Sequence, residues 1–207
     1  MSKEPPKITE NQGRFLVKLA RKAITEYVAT GKAIEPPPET EGELFRKSGV
    51  FVTLNRVEGE RLRGCIGYPL PTDPLVVATI KASIAAATED PRFEPVTLKE
   101  FESEIVVEVS VLTEPQALMP SSRLDLPNLV EIGKHGLIVS RGGYSGLLLP
   151  QVAPEWNWDA EEFLSNCCMK AGLSPDAWLV DGTQVQTFEA IIFDESSVNG
   201  PISMQKI

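Results

Sequence analysis

The sequence is poor in the residues that build metal centres and disulfide frameworks: one histidine and three cysteines among 207 residues. A single histidine excludes a His-cluster site, and an odd, small number of cysteines does not read as a disulfide scaffold. Two of the three, Cys167 and Cys168, are adjacent, which strains any bridge between them. Helix spacing sends both toward a core, so no zinc or iron site can be assembled. No metal and no cofactor are expected. Also missing is any apolar run of the roughly 18–20 residues that span a bilayer. Residues 1–7 are polar and contain proline, without the apolar stretch of a signal peptide. The expectation is a cytoplasmic protein in a reducing compartment. Cations are the scarcer charge: 20 Lys and Arg against 29 Asp and Glu, a net charge of −9. Coating DNA or RNA needs an excess of cations, so non-specific nucleic-acid binding is not expected. The anionic membrane surface is a poor partner for the same reason. A local basic pocket could still hold one nucleotide or one structured RNA. There is no GxGxxG after a strand, no phosphate loop ending in Gly-Lys-Ser/Thr and no serine nucleophile elbow.

What is present suits a packed α+β chain. Hydrophobic residues make up 42% and charged residues 24%, enough for a sizeable core in one domain or in a large and a small lobe. After a loose tail, Thr9 and Gln12 form a capping-box pattern. Phe15, Leu16, Leu19, Ala20, Ala23, Ile24, Tyr27 and Val28 then follow as one apolar helical stripe, closed by Gly31. Residues 50–54 and 61–63 read as short strands around a turn at Glu58 and Gly59. Asp73 followed by Pro74 opens a helix over residues 75–88, apolar on most sides, which Pro91 stops. Val107, Val109 and Val111 alternate with Glu108 and Ser110 in a half-buried strand. Gly142 and Gly143 join two apolar runs, a hairpin signal because a tight turn needs positive φ. Asn157 or Asp159 starts a further helix, with Phe163, Leu164, Cys167, Cys168 and Ala171 on its apolar stripe. Residues 185–193 form a closing strand. No regular βαβ rhythm appears, which points to α+β rather than a doubly wound sheet.

Candidate chemistry gathers at Leu62-Arg63-Gly64-Cys65-Ile66-Gly67. Gly64 and Gly67 open the backbone around Cys65 to close approach by a ligand. The neighbouring Arg63 guanidinium would favour the reactive thiolate. The competing reading is a buried small residue in a tight strand-end turn, since free cysteine is among the most buried residue types. His135, in Gly133-Lys134-His135-Gly136, sits on a turn, either as a site residue or as an ordinary surface histidine. In Asp90-Pro91-Arg92-Phe93, Asp90 could act as acid, base or arginine partner, and Arg92 could hold an anion. Alternatively, this segment is a helix stop with a local ion pair. Trp156 and Trp158 are either a ligand platform or core and interface anchors.

These segments together resemble the AMMECR family. The resemblance rests on residues 49–54 (Gly-Val-Phe-Val-Thr-Leu), the Leu-Arg-Gly-Cys-Ile-Gly motif and Asp90-Pro91-Arg92-Phe93. It continues through residues 109–112, residues 132–137 and Leu148-Leu149-Pro150-Gln151-Val152-Ala153, spanning nearly the whole chain in the family's order. It implies a single domain of two lobes. The larger is an antiparallel sheet with flanking helices built from both chain ends; the smaller is an α/β lobe from the middle. It also implies that the cysteine motif is the functional signature. Relatives occur beside or fused to radical-SAM and Memo-type proteins, an association that points to a shared pathway in RNA or nucleotide modification. Two functions follow as expectations. In one, an enzyme or ligand-binding cleft between the lobes gathers Arg63, Gly64, Gly67, Arg92 and Gln151 around a small-molecule or nucleotide ligand. Cys65 is then nucleophile, His135 base and Asp90 a further catalytic group. In the other, a non-catalytic adaptor binds a protein partner, of the Memo-type or radical-SAM pathway by association, through the same surface.

Overall fold

The structure, a computed structural model, describes residues 8–205, the side chain of Glu60 excepted; the loose tail expected at residues 1–7 lies outside them. In chain order the elements are α1 (Glu10–Thr30), β1 (Val50–Arg56), β2 (Arg61–Tyr68), α2 (Leu75–Thr88), α3 (Leu98–Glu104) and β3 (Ile105–Leu112). Then come β4 (Gln116–Ala117), β5 (Gly136–Arg141), β6 (Tyr144–Leu148), α4 (Val152–Glu155), α5 (Ala160–Lys170), β7 (Gln184–Phe188), β8 (Ala190–Glu195) and β9 (Ile202–Gln205). Helices mixed with antiparallel pairs make this the expected α+β class. The chain divides into two units, residues 8–112 with 191–205, and residues 113–190.

In the first unit, five strands lie in the order β2-β1-β3-β8-β9. Strand periodicity puts Val50, Val52 and Leu54 of β1 on one face with Val107, Val109 and Val111 of β3, all buried. This is the face against which α1 and α2 pack. Each such side chain contributes about 1.5–3 kcal/mol of burial. Helix α1 begins as expected. Thr9 Oγ1 accepts from the Gln12 amide at 3.2 Å, and Gln12 Oε1 accepts from the Thr9 amide at 3.0 Å. It ends at Gly31, whose φ of +72° is costly for any residue with a Cβ. The apolar stripe carries one charge that periodicity did not single out. Arg21 is buried, its Nε donating to Glu195 Oε1 at 2.6 Å and its Nη2 to the Ile105 carbonyl at 2.7 Å. Glu195 Oε2 also accepts from the Val107 amide at 3.0 Å, and the guanidinium lies 4.6 Å from the Phe101 ring centre. One ion pair therefore ties α1 to β3 and β8.

Helix α2 is buried along most of its length, as its composition requires. Its start differs from expectation. Pro74, not Asp73, occupies the cap position, with extended ψ and no side-chain cap. The Leu75 amide donates to the Arg46 carbonyl at 2.9 Å, which satisfies one orphan donor of the first turn. Asp73 instead binds Lys81 Nζ at 2.7 Å.

The second unit is a four-stranded sheet in the order β4-β7-β5-β6. Gly142 and Gly143, at φ +56° and +87°, make the two-residue turn between β5 and β6. Helix α5 starts at Asp159 in a capping box with Glu162. Phe163, Leu164, Cys167 and Cys168 are fully buried in one cluster with Leu137, Val139 and Val185. Burial pushes the Cys167 thiol up to about 12, so it packs as a small hydrophobe. The single closing strand expected at residues 185–193 is two strands. At Glu189 the chain leaves one sheet for the other: Thr113 and Glu189 exchange hydrogen bonds, amide to carbonyl and amide to hydroxyl, each at 2.8 Å. Unbroken β propensity does not reveal a change of sheet.

Candidate functional site

The strand expected at residues 61–63 runs on through residues 64–67 as β2, so Cys65 lies inside the strand and not in the strand-end turn that one reading of it predicts. β2 is the edge of its sheet and pairs with β1 through to Val50 opposite Tyr68. A bulge interrupts the register: Leu54 faces Gly64, but Asn55 faces Leu62, so Arg63 is the extra residue. The bulge turns Arg63 inward. Its Nε and Nη2 hold the Glu100 carboxylate at 2.7 and 3.1 Å, and Nη2 also donates to the Glu94 carbonyl at 2.9 Å. Arg56 binds Glu100 and Glu104 beside it. Burial would raise Glu100, yet the two guanidiniums outweigh it and hold the carboxyl below its ordinary value. Arg63 is thus a buried brace between β2 and α3, not the cation expected beside the thiol.

Both glycines of the motif answer close approaches. A Cβ on Gly64 would stand 2.2 Å from the Ala86 carbonyl oxygen of α2, and one on Gly67 would stand 2.3 Å from the Phe51 ring. Neither space is open to a side chain, and Phe51 lies across Gly67 from the neighbouring strand.

Between them, Cys65 is held at its backbone. Its amide donates to Asp90 Oδ2 at 2.8 Å, and Arg92 Nη2 reaches its carbonyl at 3.5 Å. Arg92 also grips Asp90 with Nε at 2.9 Å and Nη2 at 2.7 Å. An acid and an arginine thereby take the place of the missing neighbouring strand and cap the free edge. Asp90 is buried, and its bonds from Arg92, then from the Cys65 amide, hold its carboxyl well below the usual carboxylate range. Arg92 remains half exposed, its guanidinium 5.5 Å from the Phe93 ring centre. The Cys65 sulfur, 3.5 Å from the Thr53 hydroxyl, is half-buried. Burial pushes its thiol up, and the opposing effects of Thr53 and Arg92 do not reverse that. The thiolate expected from a neighbouring cation is therefore disfavoured.

His135 and Gln151 belong to the second unit. The His135 amide donates to the Glu131 carbonyl at 2.9 Å, and its Nδ1 accepts from the Glu131 amide at 3.0 Å. With Nδ1 accepting, the neutral ring carries its proton on Nε2 and offers a donor there. Gln151, just before α4, has a buried Oε1 with no hydrogen-bond partner among the described residues. Trp156 is exposed and stacks on half-buried Trp158 with ring centres 6.0 Å apart. Among the described residues no group of three or more His, Cys, Asp or Glu is placed to hold a metal, and no helix is long and apolar enough to cross a membrane.

Sequence reasoning missed Glu100, and it quoted Phe51, Thr53 and Phe93 within their motifs without giving them a role at the site. Glu100 had a signal of a different kind. Thr97 and Glu100 form the Thr-x-x-Glu capping pattern, and Thr97 Oγ1 does accept from the Glu100 amide at 3.2 Å. The carboxylate turns to Arg63 and Arg56 instead of back to the cap.

An α+β fold whose edge strand carries an arginine-braced, acid-capped cysteine motif defines the class. The AMMECR1 family model matches residues 17–193, and this chain belongs to the AMMECR1 family. Protein PYRAB00100 of Pyrococcus abyssi is 54% identical over 204 residues, covering 97% of this chain and 98% of that protein. Protein MK0488 of Methanopyrus kandleri is 50% identical over 196 residues, covering 95% and 94%. The crystal structure of uncharacterized protein PH0010 from Pyrococcus horikoshii superposes with a TM-score of 0.92 at 54% identity, covering 97% of this chain and 100% of that one. These names carry no activity.

Proposed function

We propose that this chain is a non-catalytic binding protein of the cytoplasm, an adaptor that recognises a protein partner through the β2 edge and the adjoining sheet face. One observation carries the reading: the motif's polar groups are already spent within the fold. Arg63 is taken by Glu100 and Glu94, and Asp90 by the Cys65 amide and Arg92. A nucleophile needs an activated thiol, and burial acts on Cys65 in the opposite sense. What the motif leaves accessible suits recognition. Arg92 keeps an exposed guanidinium, Leu62 exposes apolar surface on the sheet face opposite the helices, and Tyr68 and Leu70 are exposed at the strand's far end and just beyond it. Aromatic and arginine side chains are enriched at protein interfaces. The family's association with Memo-type and radical-SAM proteins favours a partner from those pathways.

The test is native mass spectrometry of the chain purified from its own host, in three forms. Wild type and Cys65→Ser should carry the same non-covalent partner, and Arg92→Ala should lose it. Loss of the partner in Cys65→Ser, or a covalent adduct on Cys65 in wild type, would instead support a thiol enzyme acting on a nucleotide or RNA.

A further inference from the structure

An open groove lined by residues of the second unit brings an arginine and a carboxylate to one rim. It measures about 600 Å³, within the roughly 300–1,000 Å³ of ligand pockets. It opens where the short strand β4 leaves β7. Gln184 and Gln186 of β7 line one wall, Met119 and Ser121 of the departing loop another, and Arg123 and Asp181 complete it.

Arg123 is the informative residue. Its Nη2 donates to the carbonyls of Val180 and Thr183, which fixes the guanidinium to the turn that carries Asp181. Among the described residues it forms no ion pair, and its Nε and Nη1 make no hydrogen bond. Asp181 is exposed and likewise unpaired among the described residues. A guanidinium fork matches a carboxylate in geometry and charge. Here a preorganised cation and a carboxylate border one cavity without neutralising each other.

We infer that this cavity binds a short zwitterion of the amino-acid or dipeptide class. Its carboxylate would take the free donors of Arg123, and its ammonium would pair with Asp181. The amides of Gln184 and Gln186 would read the polar body, with Met119 supplying an apolar wall. A plain anion meets repulsion from Asp181, and a plain cation meets it from Arg123.

Calorimetric titration of the full chain with glycylglycine, succinate and putrescine tests this. Glycylglycine should bind saturably and more tightly than either other probe. Its affinity should fall at least about tenfold in both Arg123→Gln and Asp181→Asn, the loss that follows when a charge-assisted bond is removed. Arg123→Gln also releases two backbone carbonyls, so Asp181→Asn, at an exposed position, separates ligand recognition from loop integrity. No saturable glycylglycine binding, tighter binding of succinate or putrescine, or affinity unchanged in Asp181→Asn would each overturn the inference.

Discussion

Replacing Glu195 with alanine should destabilise the first unit by about 3–5 kcal/mol, the cost of stranding one member of a buried ion pair. The Arg21 guanidinium would keep its carbonyl contacts but lose its counter-charge, and the Val107 amide would lose its acceptor. Arg21 is on α1 and Val107 on β3, so the damage should spread across the helix–sheet contact. Two readouts check this: the denaturant midpoint, and hydrogen exchange at the Val107 amide, which should rise sharply. The double variant Arg21→Met/Glu195→Leu should recover the part of the loss that comes from the stranded charge, while the Val107 amide stays without its acceptor. A Glu195→Ala penalty under about 1 kcal/mol, typical of exposed pairs, would contradict the role assigned to this bond.

Asp90→Ala should cost about 2–4 kcal/mol, because it leaves the Cys65 amide without an acceptor and Arg92 without its carboxylate. Asp90 also predicts a pH dependence. Its carboxyl is held below the unfolded value of about 4. A group depressed on folding contributes stability that is fully present above the unfolded value and lost as pH falls toward the folded one. Stability should therefore decline below about pH 5 in wild type. Asp90→Asn, which keeps an acceptor for the Cys65 amide but cannot titrate, should lose less stability over the same acid range. Equal acid slopes in the two proteins would show that Asp90 is not the group responsible.

The elements were largely legible because their signals are local. The Thr9 and Asp159 helix starts, the Gly142-Gly143 turn and the valine alternation of β3 each depend on neighbours a few residues away. The errors arose where distant residues decide. Asp73 looked like a cap, but Lys81 claims it, and the Arg46 carbonyl meets the first helical amide. Residues 64–67 also read as a strand-end turn, because two glycines flank a cysteine. Those glycines instead admit the Ala86 carbonyl and the Phe51 ring, contacts the local sequence does not encode. The site was legible as an inventory. Cys65, Arg63, Asp90 and Arg92 do lie in the first unit, and three of them share bonds. Their roles were not legible. A one-residue bulge sends Arg63 to Glu100 and leaves Arg92 as the cation acting on the thiol.

In the proposed binding protein, Cys65 packs at a capped strand edge and is not a nucleophile. The rate of iodoacetamide alkylation at Cys65 against pH, followed by peptide mass spectrometry to separate it from Cys167 and Cys168, tests this most directly. A half-buried, unactivated thiol should give an apparent midpoint above about 8.5, the value of a free cysteine. A midpoint below about 7.5, the range of activated thiols, would overturn the binding-protein reading and return Cys65 to the role of nucleophile.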